Sequence, residues 1–430
     1  MPRLYEIMDS QYRSNNNEIN WAELRKRAQE KIMAEVPPEI LGKYRDQEAK
    51  NIVRKKLTTM IDLEYSALPF NARQSIIERL VNEIQGYGPI EQFLDNTNIT
   101  EIIVEKYDKI IIEENGELKE TDVKFDNEEH LRLVIERIIA PIGRRLDYSS
   151  PMVDARLPDG SRVCAVIPPI SPDGATITIR KFRPNVSIND LVRWGMLPEK
   201  LKESLAKCVK ARLNIIISGG TGSGKTTFLN ALSEFIDPRL SIITIENPIE
   251  MQLRHPHVRR WEARPANIEG AGEVNMMSLV QTALRSRPDI IIVGEVRGKE
   301  AYAMIQAMNT GHLGSMTTLH ANNTAQAMER LIAMVASAQE YPKDLVPSLI
   351  AESVDLVIHI MRFPDGKRRV VEISEVVGER NQKIITNLLV KFKVDEFKDK
   401  EIIGHWEETG NKFTKRELLK ERGVDFDSFL

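Results

Sequence analysis

The sequence predicts an α/β protein in which a domain with a parallel-type sheet is preceded by a small α+β domain and an N-terminal helical bundle. Three observations carry this prediction. Residues 1–85 keep a helical spacing of apolar side chains interrupted by prolines, and residues 86–183 change to short β-type runs around one helix. From 184 to 380, short apolar or β-branched runs alternate with helices, the pattern of a parallel sheet covered on both faces, and residues 381–430 form a charged C-terminal extension. The chain has 430 residues, 42% hydrophobic and 29% charged, enough apolar material for two or three globular domains. A disordered or fibrous protein is excluded.

In the first region, Pro37-Pro38 and Ala67-Leu68-Pro69 divide the pattern into three helices. Asn20 with Glu23 reads as a capping box for the first, the second spans 43–63, and the third opens at Asn71 and carries Ile76, Ile77, Leu80, Val81 and Ile84. After Gly86-Tyr87-Gly88-Pro89, residues 100–104 and 109–113 read as strands ahead of the turn Glu114-Asn115-Gly116, and 127–140 as a helix. Runs at 153–157, 162–167 and 175–181 complete this domain, with Pro158-Asp159-Gly160 as a turn. A linker at Arg183-Pro184-Asn185 leads to a capping box of Ser187 with Asp190. Strands follow at 214–218, 241–245, 290–294 and 315–319, then a hairpin at Pro364-Asp365-Gly366-Lys367 and a last short helix capped by Thr414 and Glu417.

Charge and cysteine content narrow the function. Sixty Lys plus Arg against 63 Asp plus Glu leave a net charge of -3, so there is no global basic field for a polyanion, and a dedicated nucleic-acid coat protein is excluded. Two cysteines, Cys164 and Cys208, make neither a disulfide framework nor a four-thiolate zinc site. No run approaches the roughly 18 apolar residues of a membrane span, and the first residues lack a signal peptide's apolar core, so a cytoplasmic location is expected.

The strongest chemical signal is Gly219-Gly220-Thr221-Gly222-Ser223-Gly224-Lys225-Thr226, followed by Thr227, between a strand and a helix. Glycines let the backbone curl until successive N–H groups face phosphate oxygens, and the helix N-terminus adds partial positive charge. In this arrangement Lys225 bridges the β- and γ-phosphates of ATP and the Thr226 hydroxyl holds Mg²⁺.

An acidic partner belongs at the carboxyl end of a neighbouring strand, the edge where such a loop sits. Asp289 precedes the strand at 290–294 and Glu295 follows it. About 17 Å separate the two ends of five strand residues, so Glu295 is assigned to Mg²⁺-bound or attacking water and Asp289 to a structural cap or turn. The strand at 241–245 delivers Glu246, with Glu250 beyond Pro248. Glu246 is the candidate for polarising the attacking water, alone or with Glu295, against the alternative that these acids solvate a loop. His312 and His320 flank the strand at 315–319. His320, at its carboxyl end, is placed to sense a γ-phosphate or to close a hydrogen-bond network, while a histidine beside a core strand is more often structural. His255-Pro256-His257 lacks the further ligands of a zinc site.

Taken in order, the phosphate loop, Thr244-Ile245-Glu246-Asn247-Pro248-Ile249-Glu250, Arg287-Pro288-Asp289 with Gly294-Glu295-Val296-Arg297-Gly298, and the histidine segment Thr310 to Asn322 resemble the type II/IV secretion ATPases. Further matching strings are Gly143-Arg144-Arg145-Leu146-Asp147, Ser150-Pro151 through Ser161-Arg162, Arg264-Pro265-Ala266-Asn267-Ile268-Glu269-Gly270 and Met308-Asn309-Thr310-Gly311-His312. The resemblance runs over about residues 70–380 and is strongest to the CpaF-type ATPases of Tad (Flp) pilus assembly. It implies a RecA-like motor domain, a PAS-like α+β domain before it, and a homo-hexameric ring on the cytoplasmic face of the membrane, hydrolysing Mg-ATP against an inner-membrane platform protein. It also implies that ATP lies between the two domains and that Arg156, Arg162 and Arg180 reach its phosphates, the alternative for each being an ordinary surface ion pair. Glu246, Glu295, His312 and His320 correspond to the family's acidic-box and histidine-box residues. One departure is Asn247, which stands where the family usually has a second carboxylate and cannot act as a base, implying slower turnover. The chain also lacks the four-cysteine insertion of many pilus extension ATPases. Two other functions compete: a nucleic-acid motor, drawing on Arg54-Lys55-Lys56 and on Arg254, His255, Arg259 and Arg260, and a nucleotide-binding scaffold with little hydrolysis. The acidic balance counts against the first, so no direct nucleic-acid role is expected.

Overall fold

The computed structural model describes residues 21–114, 116–142, 145–182, 186–264, 266, 271–398 and 401–430. The capping box expected at Asn20, Asn115 of the first turn, Gly143 and Arg144, the linker residues Arg183, Pro184 and Asn185, and Pro265 with residues 267–270 lie outside them. The chain divides into two compact units, Met1–Arg183 and Pro184–Leu430.

The first unit opens with helices α1 (Trp21–Glu35), α2 (Pro38–Leu41), α3 (Gln47–Glu64) and α4 (Phe70–Gln85). Apolar residues spaced three and four apart put Leu24, Ala28 and Ile32 of α1, Val53, Leu57 and Met60 of α3, and Ile77, Leu80 and Val81 of α4 into one core. Helix α3 starts later than the spacing suggests because Arg45 takes φ 63°, interrupting the helical path, and Asp46 then caps the amide of Ala49. After the short helix α5 (Glu91–Asp95), an antiparallel sheet forms from β1 (Ile99–Lys106), β2 (Lys109–Glu114), β3 (Glu117–Glu120), β4 (Met152–Arg156), β5 (Arg162–Val166) and β6 (Thr176–Arg180), in the order β3-β2-β1-β6-β5-β4. Ile102, Val104, Val163, Ala165, Ile177 and Ile179 pack on Leu131, Val134, Ile135 and Ile138 of α6 (Glu128–Ile139). Strand β3 was silent in the sequence because all four of its side chains are exposed, so it has no alternation to read.

The second unit is a nine-stranded sheet with the order β15-β14-β13-β12-β7-β11-β10-β8-β9. Its strands are β7 (Ile215–Gly219), β8 (Ile242–Glu246), β9 (Val258–Glu262), β10 (Ile290–Val293), β11 (Met316–Leu319), β12 (Leu356–Arg362), β13 (Arg368–Arg380), β14 (Lys383–Lys398) and β15 (Glu401–Glu408). Strands β12 to β9 in that order run parallel, and β13, β14 and β15 are antiparallel. The pleat sends Ile215 and Ile217 to one face and Ile216 to the other, which is why β7 is apolar throughout. On the first face lie α7 (Ile188–Arg193), α8 (Glu199–Lys210) and α9 (Lys225–Leu232), with Leu191, Leu205 and Phe228 in the core. On the second lie α10 (Met276–Ala283), α11 (Glu300–Asn309), α12 (Thr324–Ser337) and α13 (Val346–Ser353). The capping box of Ser187 with Asp190 is present at α7.

Residues beyond 380 add β14 and β15 to this same sheet, and Phe413, Phe426 and Phe429 stack on one another against the first-face core. The last helix, α14 (Arg416–Glu421), is not capped by Thr414 and Glu417. The buried carboxylate of Glu375 instead accepts from the amides of Thr414 and Lys415 and from the Thr414 hydroxyl, so that hydroxyl is committed outside the helix.

Candidate functional site

The loop 220–224 leaves the carboxyl end of β7, and α9 begins at Lys225. Two features explain its glycines. A Cβ on Gly219 would stand 2.4 Å from the carbonyl oxygen of Ile360 and 2.6 Å from Ser223 Oγ, while Gly222 and Gly224 take φ of 69° and 91°. The first turn of α9 has no side-chain cap, so its amides are left for an anion. Gly220, Thr221 and Gly222 are exposed, Ser223 is buried with its hydroxyl donating to Gly220 O at 2.9 Å, and Thr226 and Thr227 are half-buried in the first helical turn.

Lys225 is 8% exposed and donates from Nζ to the carbonyls of Gly219 and Gly220 at 3.1 and 3.0 Å. Burial pulls its ammonium below the ordinary lysine range, against the attraction of Glu295. Its third neighbour is His320 Nδ1 at 3.5 Å. An ammonium only donates, so Nδ1 accepts and the ring proton sits on Nε2, which lies 2.9 Å from Glu295 Oε1 in a charge contact without hydrogen-bond geometry. The other oxygen of Glu295 accepts from Arg297 Nε and Nη2 at 2.9 and 2.6 Å. Burial, then the Lys225 charge, hold His320 below the usual histidine range. Lys225, His320, Glu295 and Arg297 are thus a continuous polar chain at one edge of the sheet.

Strand order sets the spacing of the acids. With β11 between β7 and β10, and β8 beyond, Glu295 emerges roughly 10 Å and Glu246 roughly 14 Å across the sheet from the loop's own strand. Glu246 is 2% exposed, and its Oε2 accepts from the amides of Glu250 and Met251 at 2.7 and 2.9 Å, folding the Asn247–Glu250 turn back onto it. Gly294 is needed beside it, since a Cβ there would lie 3.0 Å from Glu246 Cγ. Asp289 sits at the opposite sheet edge, where Oδ2 accepts from the amide of Ser241 at 2.8 Å. His312 is also at that edge, before β11, and its Nδ1 has no hydrogen-bond partner among the described residues. The structure therefore does not bring His312 to His320. His255 bonds the carbonyl of Asp237.

Arg156, Arg162 and Arg180 belong to the first unit, where cross-strand register aligns them: Arg156 faces Arg162 across β4 and β5, and Arg162 faces Arg180 across β5 and β6. Directly opposed residues share a sheet face, so the three arginines stand in one row, which Glu101 of β1 continues opposite Arg180.

Two neighbours of the loop were not singled out in the sequence. Arg368, at the start of β13, donates from Nε to the carbonyl of Gly222 at 2.9 Å. His359 of β12 is buried and its Nδ1 lies 2.9 Å from Ser218 Oγ, tying β12 to the last turn of β7 before the loop. The hairpin turn at 364–367 was the available signal for the first. Nothing in a buried strand marks the second.

A phosphate loop at the carboxyl edge of a parallel sheet, with a lysine, a histidine and a carboxylate converging there, defines the second unit as a RecA-like phosphate-loop domain. Residues 83–409 match the family described as type II/IV secretion system protein, and the chain belongs to that family. A Mycobacterium tuberculosis protein named for conjugal transfer is 35% identical over 302 residues, covering 69% of this chain and 86% of that protein. The conjugal transfer protein TrbB of Rhizobium radiobacter is 32% identical over 268 residues, covering 61% and 79%. The crystal structure of the pilus retraction motor PilT with bound ADP matches in fold, with a TM-score of 0.51 at 19% identity over 78% of this chain and 86% of that one. Among the described residues no helix is long and apolar enough to cross a membrane.

Proposed function

We propose that the chain is a hexameric ATPase that hydrolyses Mg-ATP on the cytoplasmic face of the membrane and drives pilus assembly or protein secretion through a membrane platform protein, most specifically of the Tad (Flp) type. The single observation that carries this reading is the Lys225–His320–Glu295 chain at the mouth of the phosphate loop. The residues fit the nucleotide: the open, glycine-lined turn and uncapped helix amides suit phosphate oxygens, and Lys225 is already desolvated beside them. They fit Mg²⁺ as well, with the Thr226 hydroxyl and Glu295 as its protein contacts, because this ion is bound through few protein oxygens and the phosphates themselves. When bound, Mg²⁺ would neutralise charge on the phosphate oxygens.

The chain's own groups divide the remaining work. Lys225 exchanges its loop carbonyls for phosphate oxygens. Glu295, held through Oε2 by Arg297, orients the attacking water, and neutral His320 stands between that carboxylate and Lys225, reporting the position of the lysine through Nδ1. Glu246 keeps the Asn247–Glu250 turn closed around the water site and supplies a second carboxylate to polarise it. The arginine row of Arg156, Arg162 and Arg180 supplies positive charge that responds to the phosphates.

Sedimentation analysis combined with steady-state turnover tests the proposal. Turnover should rise with the population of six-membered rings, and full turnover by a monomer would remove the ring from the account. The relatives named for conjugal transfer favour a second reading, in which the same cycle serves a conjugative secretion channel. Deleting the chain from its host separates the two, by loss of surface filaments or by loss of DNA transfer.

A further inference from the structure

We infer that Arg368 is a nucleotide-positioning residue that fixes the orientation of one peptide of the phosphate loop; this rests on the reading of the loop as a nucleotide site. The argument begins with the peptide joining Gly222 and Ser223. A trans peptide is planar, so its carbonyl and its N–H point in opposite directions. Arg368 Nε donates to the Gly222 carbonyl at 2.9 Å, and the Ser223 amide on the other side is directed at Gly220 O, 3.4 Å away. That same Gly220 carbonyl receives Lys225 Nζ, so the Ser223 N–H and the lysine ammonium converge inside the loop. Without a donor outside, nothing in the loop's own covalent structure prevents the peptide from turning over. Gly222, with φ 69°, carries one of the two torsions about which that peptide turns, and without a Cβ it opposes the turn least. A flipped peptide would present a carbonyl oxygen to a phosphate.

The guanidinium is itself well placed to act as a fixed donor. Its stem passes over Gly224, where a Cβ would stand 3.2 Å from Arg368 Cδ, so the glycine that permits the turn also admits the arginine. The hairpin that presents it is pinned from below. Its buried neighbour Arg369 pairs with Asp365 at 2.8 Å and donates to Ile402 O at 2.9 Å, while Asp365 accepts from the amides of Lys367 and Ile402. Arg369 also lies over the rings of Phe363 and Phe392. The loop is therefore gripped from both flanks, by β11 and β10 through His320 and Glu295, and by the hairpin between β12 and β13 through Arg368.

Calorimetric titration of the full chain with Mg-ADP tests this, using Arg368→Met, which keeps the stem and loses the donor, and Arg368→Lys, which restores a single donor. Arg368→Met should bind ADP about tenfold more weakly, the equivalent of one charge-assisted hydrogen bond lost from loop preorganisation. Arg368→Lys should recover most of that loss, and the unfolding temperature without nucleotide should be unchanged in both. Wild-type affinity in Arg368→Met, or no recovery in Arg368→Lys, would overturn the assignment. A wild-type chain that binds no ADP would instead overturn the nucleotide reading on which it stands.

Discussion

Glutamine and alanine at position 320 should separate the two tasks of the histidine ring. In the structure Nδ1 lies 3.5 Å from the Lys225 ammonium and Nε2 lies 2.9 Å from Glu295 Oε1. Protonating the ring would set two positive charges side by side, a repulsion of about 5 kcal/mol at an effective dielectric of about 20 and about 1 kcal/mol in water. Because the ring is partly open and Glu295 attracts the new charge, the net penalty falls toward the lower figure. This agrees in sign with the lowered pKa, whose first cause is burial and whose second is Lys225. A histidine lowered in the folded state is neutral above its ordinary value of 6.5 and loses its contribution as pH falls through the lower folded value. Wild-type ATP turnover should therefore decline on the acid side. His320→Gln keeps one acceptor and one donor without titrating, so that limb should be lost while turnover above neutral pH stays within about tenfold of wild type. His320→Ala removes the acceptor for Lys225, about 1.5 kcal/mol, together with the ring beside Glu295, and should lower turnover by about tenfold or more at every pH. The assay is kcat against pH for the three proteins. An unchanged acid limb in His320→Gln, or wild-type turnover in His320→Ala, would refute the reasoning.

Three further perturbations probe separate parts of the account. Glu295→Gln should retain ADP affinity within about threefold and lower kcat by about a hundredfold or more, because an amide cannot orient water as a base does; equal turnover would remove Glu295 from the hydrolytic step. Arg162→Gln takes the middle guanidinium from the row facing Arg156 and Arg180, so turnover should fall about tenfold or more while ADP affinity of the loop itself is kept. Wild-type turnover in Arg162→Gln would remove the row from the nucleotide cycle. Asp365→Ala leaves the guanidinium of Arg369 buried without its carboxylate and should cost about 3–5 kcal/mol in denaturant unfolding, with a smaller value placing water at that node.

The parallel sheet and its loop were legible because a buried strand, a glycine run and a helix start each leave a local mark. Glu295 could be placed at the loop's edge, and Asp289 at the other, from strand length alone. What the sequence could not give was engagement. Glu246 reads as an acid at a strand end, yet one of its oxygens is committed to the amides of Glu250 and Met251, contacts made by a turn whose path no periodicity reveals. His320 could be told from His312 because it follows the strand at its carboxyl end, but its contact with Lys225, 95 residues away, leaves no local mark. Strand β3 and the Glu375 contacts ahead of α14 were missed for related reasons, the first because no apolar face marks it and the second because its partner is distant in sequence. Arg368 joins the loop across 146 residues, so proximity in the sheet, not spacing in the chain, brings it there.

The central claim is that this chain hydrolyses Mg-ATP at the loop built around Lys225. The most direct test is Mg²⁺-dependent ATP turnover by the purified protein, with and without single-stranded DNA, against Lys225→Ala. The account predicts turnover that needs Mg²⁺, is indifferent to DNA, and disappears in Lys225→Ala while the fold persists. Turnover that survives Lys225→Ala, or that appears only when DNA is added, would contradict it.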